Sequence, residues 1–182
     1  MSKQIAVFCG SAKGKTGVYE AAALALADAF IKHDIGLVYG GGSVGLMGVM
    51  ADRMMEEGGK VTGIITKKLY AWEVGHDGIT TLEVVDSMHQ RKARMANLSD
   101  AFIAMPGGIG TLDELMEIYT WRQLGYHDKP IALLNVDGYF DALIQLLSEM
   151  VERGFLQAET RNDLLVSSES VECVERTLSL VK

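Results

Sequence analysis

At 182 residues, 48% of them hydrophobic and 23% charged, the chain has the make-up of one globular domain able to bury a sizeable core. Its formal net charge of −7 and pI near 5.1 exclude a dedicated nucleic-acid binder and a membrane-surface protein, so any anion it holds must be captured by a local site. Cys9 and Cys173, the two cysteines, lie far apart and give no disulfide framework; no apolar run approaches the ~18 residues of a membrane span, and no signal-peptide core follows "MSKQ". The expectation is a cytoplasmic protein.

In chain order, the first element is the β-like run "QIAVFC" (4–9), in which Cys9 reads as a small buried residue. The "GSAKGKT" that follows is one residue short of the G-x-x-x-x-G-K-[ST] spacing with which a P-loop wraps phosphates. It reads instead as a turn, with Thr16 capping a helix over 16–33 and Ser11 free to face a crevice. A second strand, "IGLVYG" (35–40), runs into "YGGGSVGLMG", where Gly41, Gly42 and Ser43 are candidate crevice residues. In the helix over 45–57, Leu46, Met47, Val49, Met50, Met54 and Met55 cover well over one face. Such a helix is either deeply internal or buried on its second side by another subunit.

Strands at 60–65 and 81–86 flank an irregular stretch, 66–80, that could cover a site. A helix over 87–98, a strand over 101–105, a helix over 111–124, a strand over 130–136 and helices over 138–153 and 168–181 complete the pattern. Most strands are continuously apolar, as strands covered on both faces are. The alternation predicts one Rossmann-like α/β domain spanning 1–182, a doubly wound parallel sheet flanked by helices. Ligands of such sheets bind beyond the carboxyl ends of the strands, where three junctions here are rich in glycine.

The most informative junction is "MPGGIGTLDEL" (105–115). Gly107, Gly108, Ile109, Gly110 and Thr111 form either a structural strand-to-helix turn or a phosphate loop, in which backbone amides and the positive end of the next helix hold the anion. Thr111 suits an N-cap, and "TLDE" fits a capping box in which Glu114 returns to the Thr111 amide. Two carboxylates beside a phosphate would repel it unless one addresses another part of the ligand. In a nucleotide that part is the anomeric carbon of the ribose, where a carboxylate can stabilise an oxocarbenium-like centre or guide water.

"SMHQRKARM" (87–95) carries three positive charges. Helical spacing sets Met88 and Met95 on one face with Arg91 and Lys92 beside it, and turns Arg94 elsewhere, towards solvent. Arg91 and Lys92 either snorkel to water or meet an anion or a base in the crevice. The histidines (33, 76, 89, 127) lack metal-ligand spacing, no G-x-S-x-G appears, and the first loop is not the G-x-G-x-x-G of a dinucleotide binder.

"MHQRKARM" followed by "MPGGIGTLDE", with "VYGGGSVGLMG" upstream and "HDKPIALLNVDGYFD" downstream, closely resembles the LONELY GUY family of cytokinin riboside 5′-monophosphate phosphoribohydrolases, some of whose relatives are labelled lysine decarboxylases. The resemblance implies a homodimer that hydrolyses the N-glycosidic bond of an adenosine-type 5′-monophosphate, such as AMP or N6-prenylated AMP, without cofactor or metal. By position, Arg91 and Glu114 match the catalytic pair, and Gly107, Gly108, Gly110 and Thr111 the phosphate loop. Lys92 matches a second basic ligand, Thr120 a ligand further along the helix, and Glu73, in the less motif-like "LYAWEVGHDG", a further substrate-contacting acid. Two other readings compete. A carrier could retain a nucleotide or cofactor without cleaving it, though it would not need both Arg91 and Glu114. A lysine decarboxylase would hold pyridoxal phosphate on a desolvated lysine, and none is evident near the loop.

Overall fold

The structure is a computed structural model that describes residues 2–73 and 75–182, the side chain of Glu73 excepted. Seven strands form one parallel sheet: β1 (Gln4–Phe8), β2 (Gly36–Tyr39), β3 (Val61–Thr66), β4 (Thr81–Val85), β5 (Ala101–Ala104), β6 (Ile131–Leu134) and β7 (Leu164–Ser167), in the spatial order β4-β3-β2-β1-β5-β6-β7. The helices are α1 (Val18–Lys32), α2 (Gly45–Glu56), α3 (Lys67–Glu73), α4 (Met88–Leu98), α5 (Ile109–Gln123), α6 (Asp141–Glu152), α7 (Ala158–Asn162) and α8 (Ser170–Ser179). From β1 the chain winds outward to β4, then returns to lay β5 on the other side of β1. The strand order therefore reverses between β1 and β5.

The two-sided burial expected of continuously apolar strands is present. Along β1, Ile5 and Val7 join the core under α1, α2 and α8, while Ala6 and Phe8 join the core under α4, α5 and α6. On β5, Ile103 faces the first layer, and Phe102 and Ala104 face the second. No helix among the described residues is long and apolar enough to cross a membrane.

Two local readings of the sequence need correction, and one that was left open is decided. α1 is capped by Gly17, without a side-chain hydrogen bond, and Thr16 lies before the cap. The apolar girth of α2 is used up within the chain, because α2 packs along α1 as well as the sheet, with Leu46, Met47, Met50 and Met54 buried. Its methionines therefore supply no argument for a second subunit. The stretch 66–80 contains α3, too short at two turns to show a helical period in the sequence. α7, of five residues, is missed for the same reason, and β7 because its apolar run of Leu164, Leu165 and Val166 is cut short by serines.

Candidate active site

The loops after β1 and β5 meet at the strand-order switch. The Gly10 amide donates to the Pro106 carbonyl at 3.1 Å, and the Leu46 amide, opening α2, donates to the Gly10 carbonyl at 3.0 Å. A side chain on Gly107 would meet Thr111 Oγ1 at 2.1 Å and the Gly10 nitrogen at 2.7 Å, so the close approach of these loops depends on glycine there. Between the loops, α3 and α4 lies a crevice of about 280 Å³, whose wall includes Cys9, Ser11, Leu69, Arg91, Thr111 and Glu114.

α5 opens one turn earlier than the sequence implies. Gly108 is its N-cap in extended conformation, and Thr111 is the third helical residue, itself buried. Thr111 is thus not the cap, and Glu114 lies in the second turn, where it is bound from another element. The unpaired amides of the first α5 turn and its positive dipole end belong to the Gly108–Thr111 segment on the crevice wall. Ile109 projects outward from this turn, 83% exposed.

On α4, Ser87 accepts a hydrogen bond from the Gln90 amide at 3.2 Å and fixes the start of the helix. Arg91 and Met95, four residues apart, then share the buried face. Arg91, only 5% exposed, donates from Nε to the Ile64 carbonyl at 2.9 Å, from Nη2 to the Gly40 carbonyl at 3.3 Å and from Nη1 to Glu114 Oε1 at 2.6 Å. Snorkelling to water is therefore not its arrangement. Glu114 is 8% exposed, so a guanidinium and a carboxylate are desolvated as a pair on the crevice wall. Gly40 makes room for the pair, since a side chain there would come within 2.1 Å of Arg91 Nη2.

Lys92 turns to Asp113 and Glu117 on α5, at 3.1 and 3.0 Å. Burial alone would pull its pKa down, but the two carboxylates outweigh burial and hold it above the ordinary value. Each carboxylate of "TLDE" thus faces a cation, Glu114 facing Arg91 and Asp113 sharing Lys92 with Glu117, which lessens the repulsion that Asp113 and Glu114 would otherwise exert on an anion at the α5 terminus. Arg94 leaves the crevice side and pairs with Glu83 on β4 at 2.8 Å.

The structure brings together Arg91, Glu114, Ser11, Gly108, Ile109, Gly110 and Thr111 around one space. Gly107 adjoins it through Thr111 and lines a neighbouring cavity of about 320 Å³ that shares Gly10, Ser11 and Gly108 with the crevice. Gly41, Gly42 and Ser43 are not among the lining residues. The Gly41 carbonyl accepts from the His76 amide at 2.9 Å, and Gly42 bridges to Gly75, so this loop anchors the segment that follows α3. Thr120 lies on the outer face of α5, in a shallow groove with Leu112, Met116 and Trp121, and its hydroxyl donates to the Met116 carbonyl at 2.7 Å. The side chain of Glu73 falls outside the described residues.

Sequence reasoning missed Cys9, Met47, Leu69, Met88 and Gly40 at the site. The unbroken "YGGG" was a signal for Gly40, whereas nothing local marks an apolar residue as a crevice wall. The lining, among the described residues, contains no lysine that could carry a Schiff base.

Fold and crevice define a Rossmann-like α/β protein with a buried Arg–Glu pair at its switch point. Its fold is similar to that of the molybdenum cofactor binding protein from Rippkaea orientalis, with a TM-score of 0.73 at 22% identity over 100% of this chain and 99% of that one. Residues 47–178 match the family model described as "Possible lysine decarboxylase". The chain is 46% identical over 174 residues to the cytokinin riboside 5′-monophosphate phosphoribohydrolase LOG3 of Arabidopsis thaliana, covering 96% of this chain and 81% of that protein. It is 45% identical to the probable enzyme of the same name, LOGL2, of Oryza sativa subsp. japonica, covering 96% and 71%. The chain belongs to this LONELY GUY family of phosphoribohydrolases.

Proposed function

We propose that this protein hydrolyses the N-glycosidic bond of adenosine-type 5′-monophosphates, cytokinin ribosides among them, releasing a free base and ribose 5-phosphate. The observation that carries the reading is the desolvated Arg91–Glu114 pair, 2.6 Å apart, on the same crevice wall as the open N-terminal turn of α5. Family membership with named phosphoribohydrolases supports it independently.

In this reading the amides of Gly108–Thr111 hold the 5′-phosphate and leave the ribose over Glu114. The bond between the anomeric carbon and the base nitrogen breaks with its electron pair going to the base. Positive charge at the anomeric carbon faces the Glu114 carboxylate. Water gives its oxygen to that carbon and one proton to Glu114, and that proton passes on to the departing base nitrogen, leaving the free base and the carboxylate restored. Arg91 spends its three hydrogen bonds on Ile64, Gly40 and Glu114, an arrangement that favours holding the carboxylate over contacting the leaving base. A carrier of the same fold has no chemical need for a carboxylate so aimed.

Homodimerisation in a cytoplasmic setting belongs to the proposal. Its support is the outer face of α5, where Leu112, Met116 and Trp121 line the groove around Thr120, Ile109 stands exposed, and Leu124 is exposed at the end of the helix. Thr120 would then serve the crevice of the partner subunit. The test is to supply AMP and isopentenylated AMP side by side and quantify released base by chromatography. Release from at least one nucleotide is expected, and intact nucleotide in both reactions would end the proposal.

A further inference from the structure

Tyr139 lies on the turn between β6 and α6, far in sequence from the crevice, and the reaction proposed above does not use it. Its hydroxyl donates to the Gly107 carbonyl at 2.5 Å. That carbonyl belongs to the same peptide group as the Gly108 amide, at the cap of α5. In a trans peptide, C=O and N–H point in opposite directions, and no cis peptide occurs among the described residues. Fixing the Gly107 oxygen on Tyr139 therefore fixes the Gly108 N–H facing away from Tyr139. The preceding peptide is pinned likewise, with the Pro106 carbonyl held by the Gly10 amide.

The support behind Tyr139 is elaborate for a surface tyrosine. Asp137 and Gly138 both take left-handed conformations, with φ of 53° and 69°. An aspartate there is unfavourable and persists when its surroundings dictate it. Asn135 brackets the turn, its Oδ1 accepting from the Phe140 amide and its Nδ2 donating to Asp141 Oδ1, each at 2.7 Å. The Tyr139 ring meets Tyr19 and Phe140 edge-on, with centroids 5.9 and 5.1 Å away. The hydroxyl is thus delivered to one carbonyl by a turn that Asn135 brackets and two aromatic rings buttress.

We propose that Tyr139 is a positioning residue for anion capture: it locks the Gly107–Gly108 peptide so that the Gly108 amide is presented to the substrate phosphate. Donation to the carbonyl also polarises the peptide and strengthens its N–H as a donor. The proposal rests on the reading that the α5 terminus holds the 5′-phosphate. Because the phosphate is held alike in the ground and transition states, loss of the hydroxyl should weaken binding without slowing chemistry.

The test compares the parent protein with Tyr139→Phe and Tyr139→Leu, measuring kcat and KM for AMP and the affinity for inorganic phosphate. Tyr139→Phe keeps the ring contacts and should raise KM by about ten-fold, the scale of one weakened charge-assisted hydrogen bond, at unchanged kcat and Tm. Phosphate affinity should fall in parallel. If Phe restores wild-type KM while Leu does not, the ring alone matters and the proposal is overturned. If wild type turns over AMP and Tyr139→Phe binds phosphate equally well, the proposal falls while the proposed function stands. If wild type binds phosphate more tightly than Tyr139→Phe yet releases no base, the brace stands and the activity falls.

Discussion

Arg91 and Glu114 carry an energetic cost that their geometry must offset. Each loses most of its hydration on the crevice wall, and the guanidinium recovers it through two backbone carbonyls and the carboxylate. Removing the cation leaves a buried carboxylate uncompensated, so Arg91→Ala should lose turnover and about 3–5 kcal/mol of stability together. Arg91→Lys should not rescue it, because one ammonium cannot span the three acceptors that the guanidinium fork reaches. Glu114→Gln keeps the shape and an oxygen for Arg91 but leaves the guanidinium without its counter-charge, so it should fold at a lowered Tm, with Arg91 still held by the Ile64 and Gly40 carbonyls, and lose about 10²–10³ in kcat. Urea unfolding and base release, measured on the same preparations, separate these outcomes; a Glu114→Gln protein with near-normal kcat would remove the carboxylate from the mechanism. The sequence set Arg91 beside an apolar helix face and Glu114 in a capping box, and only the family resemblance joined them as a pair; their direct contact was not legible from the residues. The capping box offered Glu114 a local partner, and only the packing of α4 against the sheet brings Arg91 within reach.

Among the elements, α5 best shows what its glycines are for. Gly107 is required by packing, pressed between Thr111 and the β1 loop, whereas a side chain on Gly110 would meet nothing within 4 Å. An alanine at Gly110 should therefore fold, and stabilise the first turn by up to about 1 kcal/mol. If a phosphate approaches that turn closely, the same methyl should raise KM for AMP. A Tm that holds or rises with a KM that climbs is the expected pattern, and an unchanged KM would take the phosphate away from this turn. The central elements were legible because β1, β2 and β5 are continuous apolar runs between clear helical periods. α3 and α7 were not, since two turns of helix or fewer hold too few periods to read, and β7 was not, since its apolar run of Leu164, Leu165 and Val166 stops at a row of serines. The apolar face of α2 stayed open for a different reason: a sequence shows that a helix is covered on two sides but not whether the second cover is α1 or another molecule.

At the scale of the whole molecule, the crevice lies where a reversal of strand order opens the sheet between β1 and β5, and two glycine-bearing loops from distant parts of the chain close on it. The outer face of α5 remains open within the chain, with Ile109 exposed at its start and Leu124 at its C-cap. Light scattering at micromolar concentration should give twice the 19.8 kDa chain mass. Met116→Asp, on that face, should give the single-chain mass and reduced turnover; a dimer that survives the charge would move the interface elsewhere. The most direct measurement is a crystal structure of the Glu114→Gln protein with AMP bound. The phosphate is expected on the amides of Gly108–Thr111 with the anomeric carbon beside residue 114, and an AMP molecule lodged away from that turn, or with its glycosidic bond out of reach of residue 114, would contradict the account.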